Sequence, residues 1–180
     1  MALTTYTAGE VLTAASLNAN FTFAAANPAS KIVQVVSTNL PSTFSTTSTS
    51  YTDLTGLSVS ITPTLDTSKV LVFVNLQASV SADIGVFFQL VRDTTAIDIG
   101  DAAGSRTRAS FSYIQNDTGL QQGNLGLNFL DSPATTAATT YKMQMLVNSG
   151  TAYINRGGTD TDAANRGRTA SNITVMEVLA

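Results

Sequence analysis

From Lys31 onward the apolar residues of this chain recur at every second position, and that period leaves few folds open. In LSVSIT, Leu57, Val59 and Ile61 fall on one side while Ser58, Ser60 and Thr62 fall on the other. This is the spacing of a strand with one dry and one wet face. The segments 31–38 (KIVQVVST), 43–54 (TFSTTSTSYTDL), 69–80 (KVLVFVNLQASV), 84–92 (IGVFFQLVR), 123–130 (GNLGLNFL), 141–150 (YKMQMLVNSG) and 173–180 (ITVMEVLA) read as further strands. Turn formers separate them, among them Pro41, Pro63, Asp66, Asp93, Pro133 and Gly150. With no helical segment between the strands, βαβ units are excluded. The expectation is an all-β protein, an antiparallel β-sandwich of jelly-roll-like type. The 28 threonines fit this reading, because a β-branched polar residue suits the solvent face of a pleat.

The first thirty residues do not share the period. In TAGEVLTAASLNANF (7–21), Ala14, Leu17 and Phe21 continue to Ala24 or Ala25 on one stripe at helical spacing. Thr13 is the expected N-cap, with Leu12 and Leu17 at hydrophobic-staple spacing. Thr7 to Glu10 matches a capping box, although Gly9 weakens a helix beginning there. Asn27-Pro28 ends the element, since proline disfavours helix in the residue before it. The chain therefore divides into an arm and short amphipathic α-helix at 1–30 and a sandwich at 31–180. So short a helix, with so little apolar surface, is not stable alone. Its stripe, with Leu12, Leu17 and Phe21 as the anchor, is expected to pack on another polypeptide.

Composition narrows the chemistry. There is no Cys, His or Trp, which removes disulfides, thiolate and imidazole catalysis and most zinc sites. Glutamate occurs at Glu10 and Glu177 alone, and the aspartates sit mostly in turns beside Gly, Ser, Thr or Asn, so no paired-carboxylate hydrolase site is visible. Asp160-Thr161-Asp162 and Asp98 to Asp101 lack the ligand spacing of a calcium loop. Neither a Gly-x-Ser-x-Gly elbow nor a phosphate loop is present. The expectation is a non-enzyme with no cofactor and no metal. A net charge of −3, with 12% charged residues, argues against nucleic acid as a partner. No apolar run reaches membrane-spanning length, and the N-terminus lacks the regions of a signal peptide.

Three features point to contacts. The segments 70–78 and 84–91 are apolar on both faces, which implies either a covering loop or a subunit interface. DAAGSRTRAS (101–110) is echoed by DAANRGRTAS (162–171). The echo is either two loops of like composition or two arms on one rim. In the second case Arg106, Arg108, Arg166 and Arg168 would be set against a carboxylate such as Asp98, Asp160 or Asp162. Tyr113, in the polar stretch SYIQNDTGLQQGN, is expected on an exposed loop suited to glycan or protein contact.

The leader YTAGEVLTAASLNANF (6–21) resembles the N-terminal segment that tailed bacteriophages use on tail-fibre and other virion proteins. SKIVQVVST, FSTTSTSYTDLTGLSVSITP, GDAAGSRTRAS, LDSPATTAATTYKMQM and GTAYINRGGTDTD with RTASNITVMEV resemble a C-terminal β-domain of phage structural proteins, notably those of cyanophages and marine phages. The resemblance implies a virion protein assembled in the host cytoplasm, homotrimeric and without an enzymatic step. Only Asn27-Pro28-Ala29-Ser30 lies between leader and body, with no shaft of repeats. That favours a capsid decoration or cement protein on the head exterior, or else a short tail fibre whose knob grips a host-surface glycan. A polysaccharide depolymerase is the rival from another class.

Overall fold

A computed structural model of the chain describes residues 5–11, 13–26, 31–81, 84–115 and 121–180. Internal contacts group the chain into two units, Met1–Lys31 and Ile32–Ala180. The first holds helix α1 (Ala14–Ala26). The second holds β1 (Ile32–Leu40), β2 (Phe44–Thr46), β3 (Thr52–Ile61), β4 (Lys69–Val80), β5 (Ile84–Arg92), β6 (Thr95–Ile97), β7 (Phe111–Gln115), β8 (Gly123–Asp131), β9 (Thr139–Val147), β10 (Ala152–Ile154) and β11 (Ser171–Val178).

All strand pairs are antiparallel and fall into two sheets. In sheet A, β4 pairs along one edge with β11 and then β10, and along the other with β8; β1 lies beyond β11 and β2 beyond β10. In sheet B, β3 pairs with β9 and β9 with β5, whose far edge is shared by β7 and β6. Setting aside the three-residue strands β2, β6 and β10, the orders are β1-β11-β4-β8 and β3-β9-β5-β7. This nesting of first strand against last, third against sixth, second against seventh and fourth against fifth is a jelly roll.

Alternation builds the core between the sheets. Sheet A turns Val70, Val72, Val74, Leu76 and Ile173, Val175 inward; sheet B turns Leu57, Val59, Ile61, Phe88, Leu90 and Met143, Met145 to meet them. Phe88 and its cross-strand partner Phe111 stack with ring centroids 5.0 Å apart. The expected strands 69–80 and 84–92 match β4 and β5 end to end. The segment 43–54 is not one strand. It breaks after β2, and β3 begins at Thr52 and runs on through the separately read 57–61. A register shift between Asp53 and Ser58 lets β3 bend, and Gly56 supplies the required φ of +89°.

Candidate functional site

Within the N-terminal unit the expected cap is present. Thr13 Oγ1 accepts a hydrogen bond from the Ser16 backbone N–H at 3.2 Å, and the Leu17 N–H reaches the Thr13 carbonyl. Half of the upstream capping box also forms, with the Thr7 N–H donating to Glu10 Oε2 at 2.7 Å. Gly9 at φ +96° turns the chain there instead of starting a helix. Leu17 and Phe21 lie on α1, and Phe21 is 65% exposed. Leu12 lies outside the described residues. One expectation is corrected: α1 is not amphipathic, because its many alanines spread mild hydrophobicity around the whole helix. Among the described residues of this unit, Tyr6, Val11, Leu17 and Phe21 stay open, and the helix sequence carries no charge.

The two arginine-bearing loops share a local design. In each, the N–H of the first arginine bonds the carbonyl of the alanine three residues back, Arg106 to Ala103 and Arg166 to Ala163. In each, the second arginine reaches back eight residues, Arg108 Nε to the Gly100 carbonyl at 2.7 Å and Arg168 Nη2 to Asp160 Oδ2 at 2.8 Å. The echo in sequence is therefore an echo in turn geometry. Only the second loop pairs its arginine with a carboxylate, and the loops are anchored at different places. The first is tied to β5 by the Ser110 N–H on the Phe88 carbonyl, and to Tyr51, whose hydroxyl donates to the Arg108 carbonyl. The second is tied to the start of β8 by Gln122, which donates to the Gly167 carbonyl.

Around Asp160, which the sequence set against the arginine pair, the second loop gathers one further cation. Arg156 Nη1 lies 3.5 Å from Asp160 Oδ2 while its guanidinium stacks 3.9 Å above the Tyr153 ring. Arg166 Nε donates to Thr161 Oγ1. A polar cavity of about 190 Å³ lies between Asp160–Ala163 and Arg166–Arg168. Asp160 is thus held by two guanidinium groups. Among the described residues no cluster of three or more His, Asp or Glu side chains could hold a metal ion.

Tyr113 is not on an open loop. It lies in β7, half-buried against the core, with its ring over Gly123 so closely that a Cβ there would fall 2.5 Å from Tyr113 Cε2. Burial raises its phenol pKa. The flanking polar residues hid a short strand whose ring faces inward.

Two of the buried polar clusters centre on a carboxylate. Asp131 on β8 accepts hydrogen bonds from Arg92 Nη1 on β5, at 2.9 Å to each carboxylate oxygen, and from the Tyr141 hydroxyl on β9 at 2.7 Å. This ties sheet A to sheet B. Burial, then the bond to Asp131, pushes the Tyr141 phenol far above its ordinary pKa. Glu177, inward-facing on β11, takes three donors on Oε1, from the Thr64 N–H, the Thr64 hydroxyl and the Ser68 hydroxyl, all within 2.7 Å. Burial raises its pKa, but these bonds outweigh it and hold the carboxyl below its ordinary value.

The outer face of sheet A is a different surface. Val35, Met176, Leu71 and Leu130 are direct cross-strand neighbours and form one apolar row over β1, β11, β4 and β8. Val35 is 56% and Leu130 46% exposed, and Phe73, in the next row, is 39% exposed. Beyond it the rows turn to amides, with Asn39, Asn172 and Asn75 in register. Sheet B differs: there Asp53 pairs with Lys142 at 2.8 Å, which together with Gln144 lowers the Asp53 pKa. Of the two strands read as apolar on both faces, β5 has its outward Val91 buried and its outward Phe87 half-buried. On β4, Phe73 is exposed.

No protein-family model matches the chain, and no curated protein sequence matches it. Among solved structures it is similar to the structure of infectious bursal disease virus Gx strain, at 12% identity and a TM-score of 0.38, over 82% of this chain and 43% of that one. It is also similar to the VP2 subviral particle of infectious bursal disease virus, at 11% identity and a TM-score of 0.37, over 82% of this chain and 38% of that one. The chain spans less than half the length of either, and likeness at this level carries no argument about what it does.

Proposed function

We propose that the chain is a non-enzymatic virion structural protein, a homotrimeric capsid decoration or cement protein of a tailed phage, held to the head exterior by its N-terminal unit. One observation carries the reading. The first unit is uncharged along its helix and leaves Val11, Leu17 and Phe21 open to solvent, while the jelly roll beyond it has a complete core of its own. An apolar arm that orders on docking suits attachment to a preformed shell. The resemblance of leader and body motifs to phage virion proteins supports the same reading, as does the jelly-roll class, which viral capsid domains share with lectins and cupins.

Deleting residues 1–30 tests the anchor. The remaining sandwich is expected to fold, with an unchanged unfolding transition, and to lose binding to particles that lack the native protein. Undiminished binding would refute the anchor. A second reading, a short tail fibre or receptor-binding knob, is favoured by the polar cavity between Asp160 and Arg168, whose carboxylates and guanidinium groups suit sugar hydroxyls. Copy number separates the two readings: hundreds of copies per particle belong to the shell, a few dozen or fewer to the tail.

A further inference from the structure

The outer face of sheet A extends, over four strands, the outward apolar side of β4 that the sequence showed at 70–78. Its four main strands turn outward Val35, Leu71, Phe73, Met176 and Leu130 at one end and asparagines at the other. Lys69, at the start of β4, is the one charge among the outward residues of these strands. A solvent-facing sheet ordinarily alternates polar outward and carries charges to keep it from pairing. Charge depletion around a contiguous apolar patch marks the centre of an interface.

We propose that this face is the seam between copies of the chain, with Val35, Leu71, Met176 and Leu130 at its centre. The inference rests on the homotrimer part of the reading above and names the surface that holds it together. Area fits a second copy. Four strands about 4.8 Å apart and about nine residues long, at about 3.4 Å per residue, offer roughly 600 Å². A standard interface buries about 800 Å² per partner, so this face with a modest rim is enough. Charge fits as well, because an uncharged face is matched by an uncharged partner and rejects a charged one.

The test uses the full-length chain. Val35→Lys and Leu130→Lys place a cation on opposite edges of the row, at positions exposed enough for the fold to tolerate it. Ser58→Lys, on the exposed face of sheet B, is the control. In sedimentation equilibrium the wild type and Ser58→Lys are expected to associate. Each stripe variant should weaken association at least 100-fold while its unfolding transition stays close to wild type. A second measurement reads the seam by chemical protection. The chain has no cysteine, so Asn128→Cys gives a single thiol beside the row. Its maleimide labelling should be at least ten-fold slower than in the Asn128→Cys, Val35→Lys double variant. Folded stripe variants that associate like wild type would overturn the seam and leave the trimer standing. A wild-type chain that stays monomeric yet binds particles would overturn the seam and leave the virion reading standing.

Discussion

Asp131→Asn perturbs the inter-sheet clamp with the least change of shape. Asp131, 6% exposed, is the shared acceptor of Arg92 and Tyr141, and each bond crosses from one sheet to the other. Asparagine keeps the volume and one carbonyl oxygen, enough to accept from Tyr141. What goes is the charge facing Arg92. Hydrogen bonds to charged groups contribute about 1.5–3 kcal/mol. The Arg92 side chain is 27% exposed and regains water, so the cost falls short of the roughly 3–5 kcal/mol for breaking a fully buried pair. The expected loss is about 2 kcal/mol, or about 4–8 °C in Tm for a domain of this size. Tyr141→Phe removes one hydroxyl and leaves the ion pair, costing about 1 kcal/mol. Asp131→Ala strips the acceptor from both partners and leaves the buried Tyr141 hydroxyl orphaned, for a total of about 4 kcal/mol. Urea unfolding followed by circular dichroism measures all three, with the m-value expected to stay constant. The order Ala, then Asn, then Phe is the content of the prediction. An alanine variant as stable as wild type would show that the clamp contributes nothing, and one less damaging than asparagine would refute the predicted order.

Two further outcomes follow from buried contacts. Glu177 has a folded pKa below its unfolded value, so its contribution is present above about pH 4.3 and is lost as pH falls through the folded pKa. Glu177→Gln should therefore be less stable than wild type at pH 7, by about 1–3 kcal/mol, with the gap closing below pH 4 in acid titrations of unfolding free energy; a gap that widens on acidification contradicts this. Gly123→Ala should cost about 1–3 kcal/mol, because the new methyl meets the Tyr113 ring. In a Tyr113→Ala background the same change should become neutral or stabilising, and thermal unfolding of the two pairs decides it.

Much of the architecture was legible because strand formation is a local matter. The apolar runs bounded by turn formers at 69–80 and 84–92 marked β4 and β5 to the residue, and Thr13 marked the helix start. Where polar residues flank a short strand, the signal fails. Phe111 to Gln115 reads as loop, yet β5 supplies a pairing edge and Gly123 a berth for the Tyr113 ring, so the segment extends and buries its aromatics. The arginine echo was visible and its turn geometry followed, but Arg156 and Tyr153 joined the Asp160 cluster without any sequence signal.

The sequence by itself determined that this chain is a β-sandwich preceded by a helix, and that it has neither Cys nor His. These follow from residue period and residue supply, which need no partner strand to be read. Only the tertiary structure decided the strand order, the convergence of Arg92, Asp131 and Tyr141, and the row Val35-Met176-Leu71-Leu130. Period two says that a strand has two faces. Which residues stand side by side across a sheet depends on register between strands more than a hundred residues apart, as with Val35 and Met176, and that is settled when the core closes.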